Sequence, residues 1–351
     1  MTPRERVDAA LRGERTDVVP IFLRDLTLGL DVCDFTTPEV CAGPDGGYDA
    51  EKSARCVVET QRLLGHDCVV GSVHDLGIDA DMLGGRVEFP ERGIPRVATP
   101  PFATAEAIAD LRVPDLRTEG RMPGLLRSYR IVAEAIGDEV AIAANVEGPV
   151  TKAGLLRGLD NLLVDLASDP VAAGMAVDFA VKLACEHVRS LLEAGAHFIF
   201  VAAASDGPAV ISPQHYLDYS IPGLRAIVAV ARERGAPVVF HPHGPFTEER
   251  FWPLVEAAIA TGIVGFQFGE DNDLGIAKQR WGDRICILGG VDVPTVLSPG
   301  PPERIREVTR QVIEMAGRDG GFILMPSCSI HRGFPIEHLE AMIAAARSTA
   351  A

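Results

Sequence analysis

Eight short apolar runs are spaced along the 351 residues, and from the third onward a helical pattern follows each of them. The runs are Val18 to Leu23, Asp67 to Val73, Val140 to Val146, His197 to Ala203, Pro237 to Phe240, Ile263 to Phe268, Ile285 to Gly289 and Gly321 to Met325. They are apolar on successive residues instead of alternating, so both faces must be covered, which is the habit of parallel strands. A 3.6-residue period runs through Leu155 to Leu166, Pro170 to Leu192, Pro213 to Arg234, Glu248 to Ala260, Pro302 to Met315 and Pro335 to Ala346. Strand and helix repeated to this count predict a parallel sheet that closes on itself. The expected fold is an α/β chain forming one (β/α)8 TIM barrel over residues 1–351.

Three features are added to the repeat. Thr2-Pro3-Arg4-Glu5 reads as an N-cap, a proline at the first helical position and a reciprocal glutamate, so a helix opens the chain and runs to about Leu11. Asp25 to Tyr48 is a long Gly- and Pro-containing loop after the first strand, and Arg86 to Pro101, with its alternation and prolines, predicts an inserted hairpin after the second.

Composition narrows the function. A hydrophobic content of 47% supports a large core, and a formal net charge of −16 leaves no basic stripe for nucleic acid or an anionic membrane. The seven cysteines are odd in number and form no CxxC, against both a disulfide framework and a zinc ribbon. No apolar run reaches membrane-spanning length, and the first residues lack a signal-peptide core, so a cytoplasmic protein is expected. The partners expected are small molecules, anionic or thiol, and the chain is compatible with a homodimer.

In such barrels the active site is assembled from loops that follow the strands. Round that rim the sequence places Arg24, His74 and Asp75, Glu147, Asp206, His241 and His243, Glu270, Asp292 and Cys328. Two histidines at i and i+2 in extended chain point to one face, and a thiolate from another strand adds a third N/S donor with one position open. That is the pattern of a catalytic zinc, with His241, His243 and Cys328 as ligands. The competing reading is a polar cluster in which each histidine bonds a nearby carbonyl. Glu270 stands where a displaceable fourth ligand would, or caps the helix that follows. Arg24 either binds a substrate carboxylate or phosphate or pairs with Asp25 or Asp75. Asp75 and Glu147 are candidate catalytic carboxylates, Glu147 competing with a capping role. His74 and Asp206 are candidate substrate contacts, with a turn or cap the alternative for Asp206 and Asp292. His331 and Arg332 are lid groups or a solvated loop. His66, His187, His197, His215 and His338 receive no role.

These residues, with the opening Arg4-Glu5-Arg6-Val7, Glu147-Gly148-Pro149-Val150-Thr151, Leu288-Gly289-Gly290-Val291-Asp292 and Cys328-Ser329-Ile330 before Pro335-Ile336-Glu337-His338-Leu339, carry a resemblance over nearly the whole chain. The chain resembles the uroporphyrinogen decarboxylase superfamily, and within it the zinc-dependent methyltransferases that move a methyl group from a corrinoid to coenzyme M or a similar thiol. The resemblance implies zinc as cofactor, a methylcobalamin-type corrinoid as donor on a separate protein, and Glu270 as the exchangeable ligand. True decarboxylases carry a histidine where Cys328 stands and lack the pair at His241 and His243; Arg24 and Asp75 resemble their carboxylate-binding arginine and pyrrole-holding aspartate. The methyltransferase motif is HxC where this chain has HxH. One Cys and two His leave zinc with formal charge +1, a stronger depressor of a bound group's pKa but a less electron-rich partner for a thiolate. The alternatives that the resemblance leaves are a lyase or decarboxylase acting on a smaller anion, and a non-catalytic corrinoid or tetrapyrrole carrier.

Overall fold

The computed structural model describes residues 1–43, 45–108 and 111–349. Its first helix, Pro3–Leu11, begins as expected: the Thr2 side chain accepts from the Glu5 amide while the Glu5 carboxylate accepts from the Thr2 amide. Strands follow as β1 (Cys68–Val70), β2 (Arg86–Glu88), β3 (Arg96–Thr99), β4 (Ala141–Glu147), β5 (Phe198–Ala203), β6 (Val238–Pro242), β7 (Gly265–Gln267), β8 (Cys286–Val291) and β9 (Phe322–Pro326). Seven form one parallel sheet in the order β1-β4-β5-β6-β7-β8-β9, and β2 pairs antiparallel with β3 as the expected hairpin.

The run Val18 to Leu23 closes the ring without becoming a full strand. Ile21 bridges Leu324 on β9 and Phe22 bridges Cys68 on β1, with Phe22 donating to the Leu324 carbonyl at 3.0 Å and Leu324 donating to that of Pro20 at 2.9 Å. The reason is local. Pro20 has no N–H to offer a ladder, and Arg24, at φ +48°, turns the chain out of extended conformation. The eighth staves of the barrel is therefore two residues wide.

Every strand of the ring is buried on both faces, as the unbroken apolar runs require. Phe22 meets Phe198 and Phe200 edge-on, and Phe240, Phe266 and Phe268 continue the aromatic packing round the interior. Burying each such ring stabilises the fold by roughly 1.5–3 kcal/mol.

Several helices depart from the sequence pattern. Leu155 to Leu166 is not one helix but the end of Pro149–Arg157 and the start of Leu159–Ser168, broken at Gly158 where φ is +86°. Ala50–Leu64 and Met122–Ile136 are helices that the pattern did not pick out, and Leu274–Trp281 is the helix that follows the sixth run. The loop Asp25 to Tyr48 contains two short helices, Gly29–Val32 and Thr37–Cys41. The Gly289-Gly290 motif has a packing explanation. Both residues sit at φ near +150°, and a Cβ would lie 2.7 Å from the Phe268 carbonyl oxygen at one and 2.8 Å from that of Met325 at the other. That pair lets β8 run close to its neighbours.

At the end of the barrel remote from the site, Asp67 is buried and accepts from Arg6 at 3.1 Å and Arg347 at 2.6 Å. His66 beside it is buried with an unpartnered Nδ1, and burial together with the nearby Arg347 charge pushes the imidazole down to about 3. Unfolded histidine takes a proton below about pH 6.5, so between pH 6.5 and 3 the unfolded chain binds the extra proton and stability falls with acid. His66→Leu is expected to be less acid-sensitive than the parent. Between pH 7.5 and 5.0 its urea-unfolding free energy should drop by about 2 kcal/mol less, and equal drops would remove His66 as a cause.

Candidate metal centre at the barrel mouth

His241 lies in β6, in register with Ala202 of β5, and His243 follows one residue beyond the strand end at Pro242. The alternation of extended chain turns both rings to the barrel mouth, with centroids 4.8 Å apart and Nε2 atoms 3.2 Å apart. Cys328 reaches the same place from the turn after β9. The ligand atoms of His241, His243 and Cys328 all lie within 4.8 Å of one another, the one such group of three among the described residues.

This donor set suits zinc. Nitrogens about 2.0–2.1 Å from a tetrahedral ion stand about 3.3 Å apart, close to the spacing of the two imidazoles. The electrostatics favour the ligand forms. Burial, aided by Arg24 and His243, holds His241 well below the ordinary histidine range, so its ring is neutral. Burial alone would raise the Cys328 thiol, but a hydrogen bond with His243 and the charge of Arg24 more than offset this and bring it down to about 7. Hydrogen bonding to Cys328 in turn raises His243. Protein groups thus prepare a thiolate before any cation arrives.

Neighbours fix the frame. Gln267, at the end of β7, donates to the carbonyls of Pro326 at 3.0 Å and Ser327 at 3.3 Å, pinning the turn that carries Cys328. Gly207, in the loop after β5, packs so closely on His243 that a Cβ would sit 2.0 Å from its carbonyl oxygen. Neither residue stands out in the sequence, because a glutamine in a buried strand and a glycine in a loop acquire meaning only from what they touch.

Arg24 forms the facing wall. It is buried, its Nε donates to Asn145 Oδ1 at 3.1 Å, and its guanidinium lies over the Phe200 ring at 4.8 Å. Among the described residues it pairs with no carboxylate, so the alternative of a salt bridge with Asp25 or Asp75 is not what the structure shows. Its left-handed backbone is a local strain of the kind held in place by function or packing. Its charge acts on Cys328 and His241 on one side and on His74 and Glu147 on the other.

The remaining rim residues sort by what they touch. His74 Nε2 is 3.4 Å from Glu147 Oε1, and Glu147 Oε2 accepts from Lys152 at 3.0 Å. Burial alone would raise Glu147, but Lys152 and His74 overcome it and hold the carboxylate below its ordinary range. Asp75 is not exposed to the mouth: one oxygen is held by Arg121 and the other accepts from the Gly77 amide at 3.0 Å. Asp206, expected as a substrate contact, instead caps the helix Pro149–Arg157 through the Val150 amide, the Thr151 amide and the Thr151 hydroxyl at 2.7–2.9 Å. It is fully buried and its two oxygens are committed to a helix N-terminus, so it is not presented to a ligand at the mouth. Asp292 likewise caps a turn through the Thr295 amide.

Glu270 stands outside the donor group. It is exposed in the turn after β7, outside the group of three whose donor atoms converge, and the helix that follows is capped by Asp273 instead. Its charge does act on His243. The segment after Cys328 is tied down: Arg332 meets Asp31 at 2.6 Å and the Glu91 carbonyl at 3.1 Å, and His331 bonds Ser329 and Thr27. Among residues without an assigned role, His187 proves to be part of a buried charge string with Asp79 and Lys152.

The chain is similar to known proteins over nearly its whole length. A family model described as uroporphyrinogen decarboxylase (URO-D) matches residues 2–349. The methylated-thiol–coenzyme M methyltransferase of Methanosarcina mazei is 26% identical over 353 residues, covering 99% of this chain and 90% of that protein. A methylcobamide:CoM methyltransferase of Methanosarcina barkeri is 26% identical over 349 residues, covering 98% and 97%. The solved structure of a methyltransferase from Methanosarcina mazei superposes with a TM-score of 0.86 at 24% identity, covering 99% of this chain and 98% of that one. Among the described residues no helix is long and apolar enough to cross a membrane.

Proposed function

The chain belongs to the uroporphyrinogen decarboxylase family, and from that premise we propose that it is a zinc-dependent methyltransferase. In this reading a single barrel domain transfers a methyl group from a corrinoid on a separate protein to a thiol or similar acceptor. The observation that carries the proposal is the group His241, His243 and Cys328 at the barrel mouth, facing the unpaired guanidinium of Arg24. The methyltransferase relatives support it by their names: one acts on methylated thiols and coenzyme M, the other on methylcobamide and CoM.

His241, His243 and Cys328 would hold zinc, which supplies Lewis acidity that lowers the pKa of an acceptor thiol. Arg24 would hold an anionic group elsewhere on the acceptor, through two parallel N–H donors that match a carboxylate or sulfonate. Glu270, at the edge of the mouth, would add negative charge beside His243 and leave the fourth position to the acceptor. Asp75 is unsuited to the pyrrole-holding part in a decarboxylase, because Arg121 and Gly77 already occupy it. The HxH pair, with its extra positive charge, also suits oxygen acceptors, so alcohols and carboxylates belong in the assay beside thiols.

The test is methyl transfer from methylcobalamin to a panel of thiols, coenzyme M included, by zinc-loaded protein. Formation of methyl thioether that depends on both zinc and protein is the expected result; its absence across the panel would overturn the proposal. Arg24→Lys keeps the charge but loses the fork. It is expected to raise KM for an anionic thiol by an amount worth roughly 1–3 kcal/mol, while zinc content stays at the parent level. If KM is unchanged and only the melting temperature falls, Arg24 is structural.

A further inference from the structure

Three side chains link the turn that carries Cys328 to the loop after the first apolar run. They are Ser329, His331 and Thr27. Thr27 Oγ1 lies 3.2 Å from His331 Nδ1, His331 Nε2 lies 2.9 Å from Ser329 Oγ, and Ser329 Oγ lies 3.8 Å from Cys328 Sγ, within reach of a bond to sulfur. Backbone pairing holds the two segments side by side: Ile330 donates to the Arg24 carbonyl at 3.2 Å, and Leu26 donates to that of Ile330 at 3.0 Å. A relay of hydrogen bonds thus runs from a buried hydroxyl to a member of the donor group without a gap.

The count of donors and acceptors gives the relay a direction. The Arg332 amide donates to Thr27 Oγ1 at 3.1 Å, so that oxygen already accepts one bond. Arg332 is itself held, its guanidinium bonding Asp31 at 2.6 Å and the Glu91 carbonyl at 3.1 Å. Thr27 is buried, and among the described residues its hydroxyl proton finds one acceptor, His331 Nδ1. Reversing that bond would leave the proton buried without a partner, which folded proteins avoid. Nδ1 is therefore the acceptor. Burial, followed by the nearby His74 and Arg24, pushes His331 down to about 4, so the ring is neutral at pH 7 and its one proton sits on Nε2. Nε2–H then donates to Ser329 Oγ, and the Ser329 hydroxyl proton is left to turn to Cys328. A thiolate can only accept.

That last bond has a chemical consequence. A hydroxyl donating to a metal-bound thiolate draws electron density from the sulfur and fixes its orientation, so the cation is left more electron-poor. Its effect adds to that of the second imidazole in the HxH pair. His243 bonds the same sulfur from beyond β6, while the Ser329 hydroxyl reaches it from within the turn.

We propose that Thr27 and His331 are positioning residues that aim the Ser329 hydroxyl at the Cys328 sulfur and so tune the ligand of the metal centre. The inference rests on the metal site of the reading above. No covalent bond changes.

Metal-free and cobalt-loaded protein test the relay in separate ways. ¹⁵N NMR of the metal-free parent at pH 7 should show His331 as the Nε2–H tautomer, and an Nδ1–H tautomer overturns the proposal. Cobalt(II) in place of zinc reports on the sulfur through the thiolate-to-cobalt charge-transfer band, whose energy falls when the sulfur loses a hydrogen bond. Ser329→Ala should move that band to longer wavelength. Thr27→Val, two side chains removed from the sulfur, should move it the same way, because His331 Nε2 is then free to accept and the Ser329 proton turns to it. Thr27→Ser restores the hydroxyl and should keep the parent band. A band that stays in place in Thr27→Val overturns the proposal and leaves the metal centre standing; one that moves equally in Thr27→Ser assigns the shift to packing and overturns it too. A parent that binds no cobalt overturns the metal centre and this inference with it.

Discussion

Cys328→Ala and His241→Ala should each fail to retain zinc under conditions in which the parent binds about one ion per chain. Three donors converge from β6 and from the turn after β9, and among the described residues no fourth protein ligand stands within the group to compensate for a loss. Removing an outer partner of a ligand already costs about 10–100-fold in affinity, so removing the ligand itself should cost more. The fold should survive. Cys328 is half-buried and bonds only mouth groups, His243 and, at 3.8 Å, Ser329, while the barrel is held by ladders and aromatic packing below the mouth. The measurement is metal content after dialysis, beside circular dichroism and a melting curve. Acid should strip zinc from the parent as well, because protons compete for the imidazoles and the thiolate. Full zinc retention in both variants would falsify the assignment of the centre. Loss of fold together with zinc would call for the same measurement on His243→Ala, whose ring is only partly buried.

Lys152→Met should be among the most destabilising single changes in the chain. The ammonium is fully buried between Asp79 and Glu147 and, among the described residues, is the one cation touching both. Removing it strands two carboxylates away from water, for which an uncompensated partner typically costs 3–5 kcal/mol, on the order of a third or more of a domain's stability. Both carboxylates sit below their ordinary range and the lysine above its own, in each case against the effect of burial. The depressed carboxylates contribute stability that is present above about pH 4 and lost as acid protonates them; the raised lysine contributes stability present below about pH 10.5 and lost in base. The array therefore stabilises the fold across that whole window. In Lys152→Met the stranded acids should instead be raised, so the deficit at pH 7 should shrink as pH falls toward 5. Adding Asp79→Asn should recover part of it. Urea unfolding at the two pH values measures this, and a deficit below about 1 kcal/mol that does not depend on pH would show that the charges are solvated.

What could be read from the chain by itself follows from short-range rules. Unbroken apolar runs such as Phe198 to Ala203 demand cover on both faces, and that demand is enough to call for a parallel, helix-clad barrel. The alternation of extended backbone is enough to put His241 and His243 on one side, and the Thr2 to Glu5 capping box is legible because it is complete within four residues. What depended on contacts between distant residues was not legible. Asp75 and Asp206 look alike in sequence, each an acid after a strand, yet Arg121 claims one and a helix N-terminus claims the other. His187 sits in the last third of the long helix Pro170–Glu193, where helical spacing says only that it faces inward, and its meaning comes from Asp79, 108 residues away. Glu270 has the place in sequence that a ligand would need, but the turn after β7 carries it into solvent. Periodicity is a property of neighbours along the chain and can be computed without the fold. The partner of a buried charge is chosen by the tertiary structure, because desolvation makes every such group depend on whichever opposite charge the packing brings to it.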